Sequence, residues 1–487
     1  MDVSVGAALG PFRRRTRRLQ VRVLRYFQKL SLTEQHFLIA LAMVIGVSTG
    51  FLAVVYRTLL EALYDVIVVQ GTSTLGVWFL LPVIPAAGGL VAGLLIRYYA
   101  GEAKGPGVSE VLNAMITRGS VIRPRVVLAK SVASGFTLGS GGSAGSEGPV
   151  IQIGAAWGSS LGQVFRVSEA SLRTLIACGS AAGISAIFNA PIAGVLFSLE
   201  IFLFDFTVAA FTPVVIASVL SAVVAHVYLG HDPVFHVPDY EYTAASELGW
   251  YVALALIAGV VGVGFIRLLD VSEDFFEGRL SWIPEWLRPA VGGALVGGIA
   301  LGFPQVLGVG YPITEAALGN EMSAGLLVAL LGLKLLATSL SIGSGGSGGI
   351  FAPSLLCGAA LGGVFGRVAD TWLPGVASPP GAFALAGMGA MVAATTHAPL
   401  SAMLIIFEMT GSYHMIVPLM FSTILAMVVA RSIERESSYT LKLRRRGLNI
   451  HRGRDLSVLE KIPLFRESSD MTTISSANTP LWVKSPT

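Results

Sequence analysis

Two glycine-rich segments hold the residues best suited to chemistry. Gly139–Ala156 reads GSGGSAGSEGPVIQIGAA, and Gly343–Ala360 reads GSGGSGGIFAPSLLCGAA. Glycine lets a chain turn sharply and leaves its amides open to a closely approaching ion. Pro149 and Pro353 each suit the first turn of a following helix, where a missing N–H is no loss. Each segment therefore predicts a turn that ends in a helix N-terminus, with free N–H groups and the positive end of the helix dipole. Gly145, Ser146 and Gly148 form one turn; Gly349, Ile350 and Phe351 form the other. Together they could hold an anion by partial charges alone, and partial charges permit both binding and release. Glu147 stands inside the first turn. A carboxylate there can occupy the anion's own place and leave it on protonation, which makes a proton-operated gate. The simpler role is a helix N-terminal cap worth about 1 kcal/mol.

The elements that must position these residues are membrane helices. Of 487 residues, 53% are apolar and only 13% charged, about half the charge of a soluble domain. Apolar runs such as 36–56 and 76–96 reach the roughly 20 residues needed to span a bilayer. Others are shorter and broken by Gly and Pro, as in transporters whose sites form at interrupted helices. Basic runs at 13–29 and 441–454 flank the apolar region, which predicts that both termini lie in the cytoplasm; the expected location is the plasma (inner) membrane. No cleavable signal peptide is expected at the basic start. Cys178 and Cys357 lie in apolar segments without ligand-like spacing and predict packing, not a metal site. A phosphate-cradling nucleotide loop is excluded by the missing Gly-Lys-Ser/Thr ending. No catalytic triad or cofactor motif emerges, so neither an enzyme nor a cofactor is expected, and no nucleic acid or nucleotide partner.

The two glycine segments are copies. Gly139–Gly162 and Gly343–Gly366 match at 12 of 24 positions without a gap. Lys130 aligns with Lys334 in the same register. NAPIAGVLFSLE (189–200) matches HAPLSAMLIIFE (397–408), pairing Glu200 with Glu408. Between Arg173 and Arg267 there is no Lys or Arg, and the polar stretch 231–247 is acidic, which predicts an external linker. The first half then starts inside and ends outside, and the second does the reverse. The expected organisation is a basic amphipathic lead (1–34), a first membrane repeat (35–230), an extracytoplasmic linker (231–247), a second repeat (248–432), and a terminal helix with a short cytoplasmic tail (433–487).

GSEGPVIQIG, NAPIAGVLFSLE, GSGGSGGIFAPSL and SSYTLKLRRRG resemble, in order across about residues 35 to 446, the CLC family of chloride channels and chloride/proton antiporters. The resemblance implies an all-α polytopic fold, an inverted repeat of broken, tilted helices, assembled as a homodimer. It makes Glu147 the external gating glutamate and Gly349, Ile350 and Phe351 part of the anion site. It adds Tyr439, whose hydroxyl would meet the anion from the cytoplasmic side, and GPGVSE (105–110), which brings Pro106, Gly107 and Val108 to the anion.

Four departures from the family pattern bear on function. The serine of the 105–110 motif is Pro106, as in plant members that prefer nitrate; a lost hydroxyl donor penalises the strongly hydrated chloride most. Ser109 replaces the motif's proline. Ser146 replaces an arginine, which removes a cation near the outer mouth. Ile201 stands where antiporters often carry an inner proton-accepting glutamate, and Leu112 replaces a neighbouring acidic residue. The expectation is chloride transport through a pore gated by Glu147, with nitrate as a second anion and protons as partners. Coupled exchange and passive conduction both stay open, as does a receptor or scaffold that has lost transport. Glu200, Glu408, Lys130 and Lys334 are expected to be structural.

Overall fold

The computed structural model describes residues 34–71, 81–238, 240, 247–372 and 378–448. Residues 1–33, residues 239 and 241–246 of the linker, and the tail from 449 fall outside that set. The helices, in chain order, are α1 (Glu34–Tyr64), α2 (Val83–Tyr98), α3 (Val108–Thr117), α4 (Arg125–Gly139), α5 (Glu147–Phe165), α6 (Glu169–Phe188), α7 (Pro191–Ser198) and α8 (Val208–Leu229). They continue as α9 (Leu248–Asp274), α10 (Arg288–Ala300), α11 (Tyr311–Leu318), α12 (Ala324–Gly343), α13 (Phe351–Trp372), α14 (Pro380–Thr396), α15 (Pro399–Thr410), α16 (Ile416–Ile433) and α17 (Leu441–Arg445). There is no β-strand among the described residues, only isolated bridges at Gly105–Ser347 and Gly145–Gly349. Seven of the described helices are long and apolar enough to cross a membrane, and the shorter apolar ones include α2, α14 and α15.

Each helix of α1–α8 has its counterpart eight helices later. The packing repeats accordingly: α5 lies on α6 as α13 lies on α14, and α1 on α8 as α9 on α16. Where the halves meet, a helix packs against its own counterpart, as in α2–α10, α5–α13 and α7–α15. At α2–α10 small residues allow the backbones to touch: a Cβ on Gly89 would stand 2.3 Å from the Pro289 carbonyl, and one on Gly293 2.2 Å from that of Pro85.

Buried polar groups at this junction are satisfied in matching pairs. Lys130 Nζ donates to the carbonyls of Ala103 (3.0 Å) and Gly105 (2.7 Å), and Lys334 Nζ to those of Val306 (2.9 Å) and Gly308 (2.8 Å). Glu408 accepts from the Ile192 and Ala193 amides at the start of α7, at 3.1 and 2.7 Å. Glu200 accepts from the Leu400 and Ser401 amides at the start of α15, at 3.4 and 2.9 Å. Each carboxylate caps the segment that leads to the other, Glu200 lying in the π-helical turn that continues α7, and the dipole there favours negative charge. These four side chains are structural ties, as their pairing in sequence predicted.

Candidate functional site

The two glycine turns meet back to back. Gly145 N–H donates to the Gly349 carbonyl at 2.7 Å and Gly349 N–H to that of Gly145 at 2.6 Å. Matching side chains hold both turns from behind: the Ser143 amide donates to Ser341 Oγ (3.0 Å), and the Ser347 amide to Thr137 Oγ1 (3.4 Å). The helices that leave the turns, α5 at Glu147 and α13 at Phe351, start side by side, so their N-termini face one buried volume.

A third segment closes it. Gly107 caps α3 with φ +86°, and a Cβ there would stand 2.4 Å from the Gly148 carbonyl. A Cβ on Gly148 would in turn meet the Pro106 carbonyl at 2.1 Å and Gly349 Cα at 3.0 Å. Only glycine permits so close a convergence of three backbone segments. Pro106, Gly107, Val108, Gly145, Ser146, Gly148, Gly349, Ile350 and Phe351 are all buried.

Glu147 is the charged centre of this arrangement. It is 2% exposed, and its Oε1 accepts from the Ala352 amide of α13 at 2.8 Å. Its carboxylate therefore occupies the N-terminus of the other repeat's helix, where an anion would be held. Oε2 is buried and accepts no hydrogen bond among the described residues. A half-satisfied buried carboxylate is held less firmly than a fully bonded one. The expected cap is thus present in a crossed form: the side chain caps α13 of the other repeat through the Ala352 amide.

Tyr439 is 3% exposed and packs edge-on against Phe197, ring centres 6.4 Å apart. Ser109 Oγ donates to the Tyr439 carbonyl at 2.9 Å, so the residue that replaces the family's proline ties the tyrosine to α3. A cavity of about 40 Å³ beside it is lined by Pro106, Ile350, Ser438 and Lys442, room for one small ion or water. Ions pair around this mouth: Lys442–Glu273 at 2.7 Å, Arg446–Glu110 at 2.8 Å, and Arg445 with Asp270 and Asp274 at 2.5 and 2.6 Å. Ile201 and Leu112 are buried apolar residues, and Phe188 packs at a tilt against Phe351, ring centres 5.4 Å apart.

Two features escaped sequence reading. The loss of an arginine at Ser146 does not leave the other mouth without a cation. Arg57 of α1, paired with Glu61 at 2.8 Å, lines the same cavity of about 620 Å³ as Ser146, Tyr64 and Tyr311. That cation comes from a distant helix, so no local pattern marks it. The second is GVGYP (308–312), the counterpart of GPGVS (105–109): Gly310 caps α11 at φ +92° as Gly107 caps α3. The shared Gly-X-Gly spacing, 203 residues apart, was the available signal.

Comparison with known proteins agrees with this architecture. The voltage gated chloride channel family matches residues 88–431. The chain is 37% identical over 372 residues to a putative chloride channel protein ClcB-like of Ralstonia nicotianae, covering 76% of this chain and 86% of that one. It is 34% identical over 380 residues to the H(+)/Cl(-) exchange transporter ClcA of Vibrio cholerae, covering 77% and 81%. Among solved structures it resembles a slow cyanobacterial Cl-/H+ antiporter, with TM-score 0.78, 26% identity, and 85% and 98% coverage. With its inverted pair of glycine turns around a buried glutamate and a family match across both repeats, the chain belongs to the CLC family of multi-pass membrane proteins.

Proposed function

We propose that the protein carries chloride across the membrane through the volume between α3, α5 and α13, with Glu147 as its proton-operated gate. The observation that carries this reading is the Glu147 carboxylate seated against the Ala352 amide of the opposite repeat. Protonation removes the charge that the α13 N-terminus attracts, and the side chain yields its place to a permeating anion. The amides of Gly349, Ile350 and Phe351 and those around Gly107 supply the remaining partial charges, with Tyr439 below them. Pro106 supplies no hydroxyl, which supports nitrate as a second substrate.

Coupled exchange and passive conduction share this gate and differ in whether a proton reaches it from the basic side. Relatives named as exchangers support coupling. Ile201 and Leu112, which cannot titrate, support conduction. We take the basic side, where α17 lies, to face the cytoplasm, and the working unit to be a homodimer.

Purified protein in chloride-loaded liposomes with a potassium-ionophore shunt tests the reading. Anion efflux is expected; its absence removes the transport function. Simultaneous pH recording separates the modes, because only exchange moves protons uphill when a chloride gradient is imposed.

A further inference from the structure

A cavity of about 160 Å³ lies away from the anion site, between the end of α2, the turn after α9 and the start of α10. Arg97, Lys104 and Arg288 line it, against Glu277 and Glu285. Lys104 is paired with Glu277 at 2.8 Å. Arg288 is 9% exposed and donates only to the carbonyls of Ile283 (3.0 Å) and Ser281 (3.4 Å), so its charge meets no carboxylate partner among the described residues. Arg97 is exposed and has neither an ion pair nor a side-chain hydrogen bond there. Three cations therefore face two carboxylates around one small cavity, and neither guanidinium is in a direct ion pair among the described residues.

The surroundings mark a membrane–water interface. Tyr98, Tyr99 and Trp282 are 79%, 46% and 78% exposed, the pattern of aromatic side chains at headgroup level. We propose that this cavity binds the phosphate headgroup of an anionic phospholipid of the surrounding leaflet, with Arg97 and Lys104 at its entrance and Arg288 at its floor. The site adjoins the second glycine turn: a Cβ on Gly345 would stand 3.2 Å from Lys104 Cε. A lipid that draws Lys104 away from Glu277 therefore acts on the loop that carries Gly349.

The test measures lipid binding, so it stands apart from anion transport. The full chain, purified in neutral detergent, is mixed with phosphatidylglycerol or phosphatidylcholine and examined by native mass spectrometry. Preferential retention of phosphatidylglycerol is expected. In Arg97→Gln with Lys104→Gln, that preference should fall about fivefold per cation removed. Arg173→Gln, at a half-buried cation paired with Glu169 elsewhere, should leave it unchanged. Equal lipid retention by wild type and the double variant overturns the proposal. So does thermal protection by inorganic phosphate through the same two residues without any lipid preference, because the site then takes the free ion.

Discussion

Glu147 joins the two repeats through one hydrogen bond, to the Ala352 amide at 2.8 Å, and leaves its second oxygen unbonded. With Glu147 as the proposed gate, this imbalance sets the expected direction of the pH effect. Acid would neutralise the carboxylate and release it from the α13 dipole, so flux is expected to rise as pH falls. Glu147→Gln should conduct at a rate that no longer depends on pH, measured as chloride efflux from liposomes across the acidic range; retained pH dependence would place the gate elsewhere. Pro106 permits a second prediction at this scale. Pro106→Ser would place a hydroxyl at the proposed anion site, and a neutral hydrogen bond is worth about 1 kcal/mol. The chloride-to-nitrate flux ratio should rise about fivefold by the same energy; an unchanged ratio would remove Pro106 from selectivity. The carboxylate and the motif around it are legible in sequence. That Oε1 reaches the opposite repeat is not, because no local pattern specifies which helix end lies across the gap.

At the scale of elements, the reciprocal caps hold α7 and α15 in place. Glu408 bonds the amides of Ile192 and Ala193, and Glu200 those of Leu400 and Ser401. Glu408→Ala should lower stability by about 1 kcal/mol, the usual worth of a carboxylate at a helix N-terminus, and a melting-temperature shift in detergent measures it. The buried lysines hold more. Lys334→Met would leave the Val306 and Gly308 carbonyls unpaired in the interior, at about 1–3 kcal/mol each. Its thermal stability should fall further than that of Glu408→Ala. Gly148→Ala belongs here too: a Cβ 2.1 Å from the Pro106 carbonyl pushes α3 away from α5. It should abolish flux even where the protein still assembles in the membrane.

For the whole molecule, the pairing of each helix with the one eight places later sets the site at the junction of two similar halves. Neither half contains it alone, since Glu147 comes from one and Ala352 from the other. A homodimer, as proposed, would add a second site without contributing to the first. Light scattering of the detergent-purified protein should give a protein mass near twice 51.0 kDa; a monomer that still transports would show that each subunit suffices. The ion pairs of α17 with α9, and of its C-cap Arg446 with α3, also act at this scale, because they fasten the segment after Tyr439 to both repeats.

Sequence by itself determined that the chain is a membrane protein, that it is duplicated with opposed orientation, and which glycine turns carry the amides. Apolar content, charge placement and residue identity are local properties, and duplication repeats them in register. Tertiary structure alone decided what touches what across the junction. It brought Gly145 to Gly349, Gly107 to Gly148 and Ser109 to Tyr439. It also brought Arg57 to the mouth where Ser146 lacks a charge. Those contacts depend on how two sets of helices pack, and backbone approach of this kind is governed by the absence of side chains, which no single position in the chain can announce.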